Sequence, residues 1–124
     1  KVRAMLETVT QEGGTGTRTQ VPGYRVAGKT GTAHKLVDGR YAPNIFLSSF
    51  VGMAPASNPR LIIGVVIDEP SGGVYYGGST AGPVFAQVMA ASLRQLAVPP
   101  DAPETATRMT QNAQPAMARA GGGA

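Results

Sequence analysis

The chain contains no cysteine and a single histidine among its 124 residues. Without cysteine there is no disulfide framework, no thiolate-held zinc or iron–sulfur centre and no cysteine nucleophile. The lone His34 excludes a multi-histidine metal site. No apolar run approaches the roughly 18 residues that a membrane-spanning helix needs. Absence of cysteine fits an oxidising compartment as well as a reducing one, and assigns neither.

What is abundant is glycine (17) and proline (10), against an apolar content of 42% that still allows a packed core. The formal charge is +4. All of the excess lies in residues 1–40, where Lys1, Arg3, Arg18, Arg25, Lys29, Lys35 and Arg40 stand against Glu7, Glu12 and Asp38. A basic stretch suits an anionic partner or simply a solvated surface. A nucleic-acid module would need aromatics interleaved with these cations. Only Tyr24 qualifies, so no nucleic-acid partner is expected. Residues 99–124 hold no Val, Ile, Leu, Phe, Tyr or Trp and end in Gly-Gly-Gly-Ala. Such a segment cannot bury enough apolar surface to offset its chain entropy, which predicts a disordered tail behind a working unit of residues 1–98.

Val2, Met5, Leu6 and Val9 recur at helical spacing, and Gly13-Gly14-Thr15-Gly16 ends that helix. Tyr24 to Ala33 mixes β-formers with a Gly-Lys-Thr-Gly-Thr run, and Asp38-Gly39 signals a hairpin turn. Ile45 to Met53 reads as a strand broken by Ala54-Pro55. Leu61 to Ile67 is nearly continuous in apolar residues, which predicts a central strand covered on both faces and ended by Asp68-Glu69-Pro70. After a glycine-rich loop with Tyr75-Tyr76, Ser79 or Thr80 is expected to cap a helix opened by Pro83, with Phe85, Val88, Met89, Leu93 and Leu96 as its apolar stripe. Helix, three strands and helix with short strand-to-strand links make an α/β unit with an antiparallel sheet.

Gly23 to Thr30 matches the phosphate-loop pattern of nucleotide triphosphatases letter for letter. Its setting argues otherwise. A phosphate loop follows a buried strand and opens a helix whose amides hold phosphate. Thr19-Gln20-Val21-Pro22 is no such strand, and Gly31, Gly39 and Pro43 leave no room for the helix.

The other reading makes Lys29-Thr30-Gly31-Thr32 a strand. With a side-chain period of two, Thr30 and Thr32 share one face, where two hydroxyls can donate to one carboxylate. Lys29 and Gly31 take the other face, with Lys29 adding positive potential. Gly31 lets an extended peptide approach closely, and the Thr32 amide is placed to stabilise the oxygen of an attacked carbonyl. The residues alone also fit a plain polar edge strand. Lys-Thr-Gly is a signature of penicillin-binding proteins and class A β-lactamases. Further blocks accompany it: Val26-Ala27-Gly28 before and Ala33 after, Phe50-Val51-Gly52-Met53-Ala54-Pro55, Asp68-Glu69-Pro70, and Tyr75-Tyr76-Gly77-Gly78 with Ala81-Gly82-Pro83-Val84-Phe85. In these blocks residues 1–98 resemble the C-terminal part of the transpeptidase domain of class B penicillin-binding proteins, most of all the septal enzymes of Gram-negative bacteria.

The resemblance implies the last three strands of a serine β-lactamase/transpeptidase-like sheet packed by a C-terminal helix. It implies a serine D,D-transpeptidase that attacks the D-Ala-D-Ala stem peptide of peptidoglycan, forms an acyl-enzyme and is acylated by β-lactams. Thr30 and Thr32 would hold the terminal carboxylate, Gly31 would admit the peptide, Lys29 would join the network behind the serine, and the Thr32 amide would be half of the oxyanion hole. Phe46, Tyr75 and Tyr76 would line the cleft; by composition alone they also fit packing at a sheet edge. His34 reads as a surface histidine. No metal or cofactor is implied. The implied partners are the remainder of the domain and other cell-division proteins, at the inner membrane with this domain in the periplasm and the anchor outside this chain. The sequence departs from the family in two respects: no serine has lysine three residues on, and none begins Ser-x-Asn. The nucleophile and general base are therefore absent from this chain, which should be inactive by itself. A D,D-carboxypeptidase or β-lactamase on the same fold would read alike.

Overall fold

A computed structural model describes residues 1–113. Helix α1 (Val2–Thr8) and a 3-10 turn (Thr17–Thr19) precede strands β1 (Ala27–Val37), β2 (Arg40–Ala54) and β3 (Leu61–Asp68), followed by helices α2 (Gly77–Gln95) and α3 (Pro103–Ala113). The strands form one antiparallel sheet in the order β1-β2-β3, as expected. β1 and β2 meet in a two-residue turn in which Asp38 and Gly39 both have positive φ, 49° and 75°. That is the hairpin geometry whose twist matches the strands it joins.

Register fixes the two faces of the sheet. Thr30 lies opposite Phe50 and Thr32 opposite Ser48, while Lys29 faces Val51 and Gly31 faces Ser49. The face with Phe50 receives α2. Ala81, Phe85, Met89 and Leu93, four residues apart, form its fully buried row, which is the straight ridge of a helix packed on a flat partner. Phe50 and Phe85 meet edge to face with centroids 4.7 Å apart. Gly52 makes this possible, since a Cβ there would stand 2.6 Å from the Phe85 ring.

Four features differ from expectation. β3 is not covered on both faces. Its exposure alternates, with Ile62 and Val66 69% and 67% exposed, because among the described elements only β2 and α2 touch it. Helix α2 begins at Gly77 rather than Pro83. The amides of Ser79 and Thr80 already donate to the Tyr76 carbonyl, so Pro83 lies inside the helix. Val88 and Leu96, expected on the apolar stripe, are exposed. Finally, residues 99–113 are not featureless. Asp101 accepts hydrogen bonds from residues 25 and 57, Ala102 bridges Gly23, and α3 follows. This segment is fixed by polar bonds to backbone, which a ledger of apolar area does not see. The rest of the expected tail, 114–124, lies outside the described residues. No described helix is long and apolar enough to cross a membrane.

The phosphate-loop reading is overturned. Residues 27–30 are extended and paired with β2. The Gly23 amide donates to Thr105 Oγ1, and no helix opens at Lys29 to present amides to a phosphate.

Candidate functional site

The Lys29–Thr32 stretch is extended along the outer strand of the described sheet. Thr30 and Thr32 both point toward the first turn of α2. Thr32 Oγ1 accepts a hydrogen bond from the Gly77 amide at 3.2 Å, which leaves its own proton to donate elsewhere. Thr30 Oγ1 lies 3.1 Å from Thr15 Oγ1, and a Cβ on Gly78 would stand 3.3 Å from Thr30 Cγ2. The glycine pair Gly77-Gly78, both buried, therefore lets the positive end of α2 come down onto the two threonines. Lys29 lies on the opposite face, exposed, with Nζ donating to the Thr30 carbonyl at 2.9 Å.

Beyond the threonines on the same face runs a ladder of rings. His34 lies two residues past Thr32 and opposite Phe46, with ring centroids 4.7 Å apart. Phe46 stacks on Tyr75 at 4.1 Å and 9°. Tyr75 leans on Tyr76 at 4.6 Å, and its hydroxyl donates to Tyr76 Oη at 3.4 Å. That bond holds the Tyr75 phenol proton and pushes its pKa above the ordinary value of 10.0, the neighbouring Tyr76 charge adding to the effect. Ser48 Oγ–H donates to the Tyr75 carbonyl, pinning the glycine-rich loop to β2. Ser48 is therefore spent structurally. At the far end of β1, Lys35 Nζ reaches Glu69 Oε1 at 2.8 Å and an Asp68 carboxylate oxygen at 3.0 Å. These bonds, Glu69's first, raise the Lys35 pKa.

Of the residues singled out from sequence, Thr30, Thr32, Phe46, Tyr75 and Tyr76 stand on the α2 face, with Lys29 and the Gly31 side-chain position on the opposite one. His34, read as a surface residue, is exposed but is also the first ring of the ladder. Its spacing of two from Thr32 was the available signal. Gly77, which bonds Thr32, stands in the sequence only as part of the Tyr75–Gly78 block and with no role of its own, and Thr15, which reaches Thr30 from the loop after α1, only as part of the glycine run that ends the first helix. In chemical terms the face offers two hydroxyls, a helix N-terminus and a flat aromatic wall. Such a face has the chemistry to hold an extended, carboxylate-bearing ligand.

Comparison with known proteins points to a family. Residues 1–90 match the family described as "Penicillin binding protein transpeptidase domain". The chain is 53% identical over 103 residues to the "Probable peptidoglycan D,D-transpeptidase PenA" of Neisseria flavescens, covering 83% of this chain and 26% of that protein. It is 46% identical over 99 residues to the peptidoglycan D,D-transpeptidase FtsI of Escherichia coli K12, covering 79% of this chain and 17% of the relative. Among solved structures, the apo transpeptidase domain of Burkholderia pseudomallei penicillin-binding protein 3 is similar at a TM-score of 0.71 and 48% identity, over 80% of this chain and 30% of that one. The chain thus spans about a quarter or less of the length of these curated relatives.

Proposed function

The chain belongs to the penicillin-binding protein transpeptidase domain family, and from that premise we propose that it supplies the C-terminal part of a serine D,D-transpeptidase that crosslinks peptidoglycan. In this reading a serine from the remainder of the domain attacks the penultimate D-Ala carbonyl of a stem peptide. Its Oγ–C bond forms as the terminal D-Ala leaves with a proton, and an amine of a neighbouring strand then takes the acyl group. β-Lactams acylate the same serine. Thr30 and Thr32 donate to the terminal carboxylate, the Thr32 amide serves the carbonyl oxygen, and Gly31 leaves room for the peptide backbone. Lys29 joins the proton network on the serine's side. Phe46, Tyr75 and Tyr76 receive the ligand's side chain.

The observation that carries the reading is the shared placement of Thr30 and Thr32 beneath the first turn of α2, Thr32 against the Gly77 amide and Thr30 against Gly78, with the Thr32 proton left to donate. The uncovered face with Val51, Ile62 and Val66, 51%, 69% and 67% exposed, is where the remainder of the domain packs. The same reading puts the whole protein at the inner membrane, this domain in the periplasm, working at the septum with other division proteins.

The test is covalent labelling of the full-length protein by a fluorescent penicillin. The wild type forms an adduct. Thr32→Val loses the carboxylate donor and strands the buried Gly77 amide, slowing acylation about 10- to 100-fold. Thr32→Ser keeps both bonds and stays within about threefold. A wild type that never labels, or a valine variant that labels normally, refutes the assignment. Rapid hydrolysis of the adduct would mark a β-lactamase instead.

A further inference from the structure

Among the described residues β1 is paired along one edge only, by β2. Besides that pairing and the contacts of Thr30 and Thr32 with Thr15 and Gly77, its position depends on what grips its two ends. Lys35 grips one, through Asp68 and Glu69. The other end is led in by Gly23, Tyr24 and Arg25, and all three are bonded to residues 98–105. Tyr24 Oη–H donates to the Val98 carbonyl. The Gly23 amide donates to Thr105 Oγ1 at 2.8 Å, and its carbonyl accepts from the Ala102 amide at 3.0 Å. The Arg25 amide donates to Asp101 Oδ1 at 2.8 Å. Asp101 Oδ2 in turn accepts from Ser57 Oγ–H at 2.7 Å and from the Ser57 amide at 3.3 Å. Asp101 thus ties the lead-in to the loop after β2, where the Ala56 amide donates back to the Arg25 carbonyl at 2.7 Å.

Few apolar groups take part, since of residues 98–105 only Val98 and Ala102 are buried. The bonds are directional rather than space-filling, so they fix position more than they add core. Arg25 stands four positions before Lys29, about 13 Å of largely extended backbone away.

We propose that Asp101 is a positioning residue: residues 98–105 form a clasp on the lead-in to β1 and thereby set where Lys29–Thr32 stands against the reacting groups. The proposal rests on the transpeptidase reading above. Misplacement of a reacting strand by about an ångström costs up to about 100-fold in rate, so a loosened clasp is a kinetic defect before it is a folding defect.

The experiment uses the full-length protein and separates the noncovalent Ks from the acylation constant k2 for a fluorescent penicillin. It is paired with hydrogen exchange of the β1 and α2 amides. Asp101→Ala lowers k2 about tenfold and speeds exchange at residues 28–33, while exchange across Phe85–Leu93 of α2 is unchanged. Asp101→Asn keeps an acceptor for the Arg25 amide and returns k2 to within about threefold of wild type. Ser57→Ala leaves the Arg25 bond in place and does the same. A normal k2 with unchanged β1 exchange in Asp101→Ala overturns the clasp. So does a loss shared by all three variants in step with faster exchange in α2, which marks general destabilisation. A wild type that takes no label sinks the transpeptidase reading alone, and the β1 exchange then decides the clasp.

Discussion

The tightest passage in the site is where α2 begins above β1, and it makes Gly77→Ala the sharpest test of the geometry. A Cβ at Gly77 would stand 2.5 Å from the Gly31 carbonyl oxygen and closer still to that of Ser49, both backbone atoms that cannot swing aside. Cβ atoms do not come within 3.0 Å of such neighbours, so the start of α2 must lift from β1 by at least 0.5 Å. The hydrogen bond from the Gly77 amide to Thr32, already 3.2 Å long, then passes out of useful range. Alanine regains about 0.5–1 kcal/mol of helix propensity over glycine. Against this stand about 1–3 kcal/mol for the forced packing and about 1–3 kcal/mol for the stranded amide. The net loss of stability is about 1–5 kcal/mol, centred near about 3. The functional loss is of the same order, because a displacement of this size costs about 10- to 100-fold in acylation rate, or about 1.4–2.7 kcal/mol in barrier. Single-turnover acylation of the full-length protein measures it, with urea titration reporting stability on the same sample. If Gly77→Ala acylates within twofold of wild type while remaining folded, the close contact between α2 and the threonines has no part in the reaction.

Two further expectations concern the framework. Phe85→Ala empties the edge-to-face contact with Phe50 at the centre of the core and should cost about 3–5 kcal/mol in a urea titration. Val88→Ala on the exposed side of the same helix should cost under about 1 kcal/mol. Lys35→Met removes the grip on the far end of β1. Lys35 holds its proton more tightly in the folded protein than in the unfolded chain, so its contribution is whole below the ordinary lysine value of 10.5 and fades as pH rises through the higher folded value. The difference in urea midpoint between wild type and Lys35→Met should stay flat from about pH 7 to about pH 10 and close above that. A gap that persists in strong alkali would assign the effect to the lysine's alkyl stem.

What could be read from sequence was local or strictly periodic. Asp38-Gly39 demands positive φ twice and yields one turn. The alternation through Lys29–Thr32 fixes which side chains share a face. The spacing of Phe85, Met89 and Leu93 gives the buried row of α2. The misreadings share a cause as well. Leu61–Ile67 looks doubly buried by composition, yet burial depends on what packs there, and the strand itself cannot say. Pro83 looks like a helix start, but Gly77-Gly78 can descend onto β1, so the helix begins a turn and a half earlier around the Tyr76 carbonyl. Asp101 bonds the amide of a residue 76 positions away, and such a pairing leaves no local trace. A tail without large apolar residues therefore looks featureless, although three of its residues hold backbone in place.

The split between the two faces of β1 bears on how charge is divided in the site. Lys29 alternates away from Thr30 and Thr32, and its ammonium folds back on the Thr30 carbonyl. A carboxylate on the threonines therefore meets the first turn of α2 before it meets Lys29. The partial positive charge of a helix start, worth about half a unit, stands within a hydrogen bond of Thr32. Lys29 instead looks toward the face bearing Val51, Ile62 and Val66, where the remainder of the domain, and the serine with it, is proposed to pack. Its charge is then better placed to govern a proton on the serine's side than to hold the substrate. The proposed reading, divided this way, predicts that substitutions at Thr30 and Thr32 change the affinity for carboxylate-bearing ligands, while substitutions at Lys29 change the rate at which a bound ligand acylates the full-length protein.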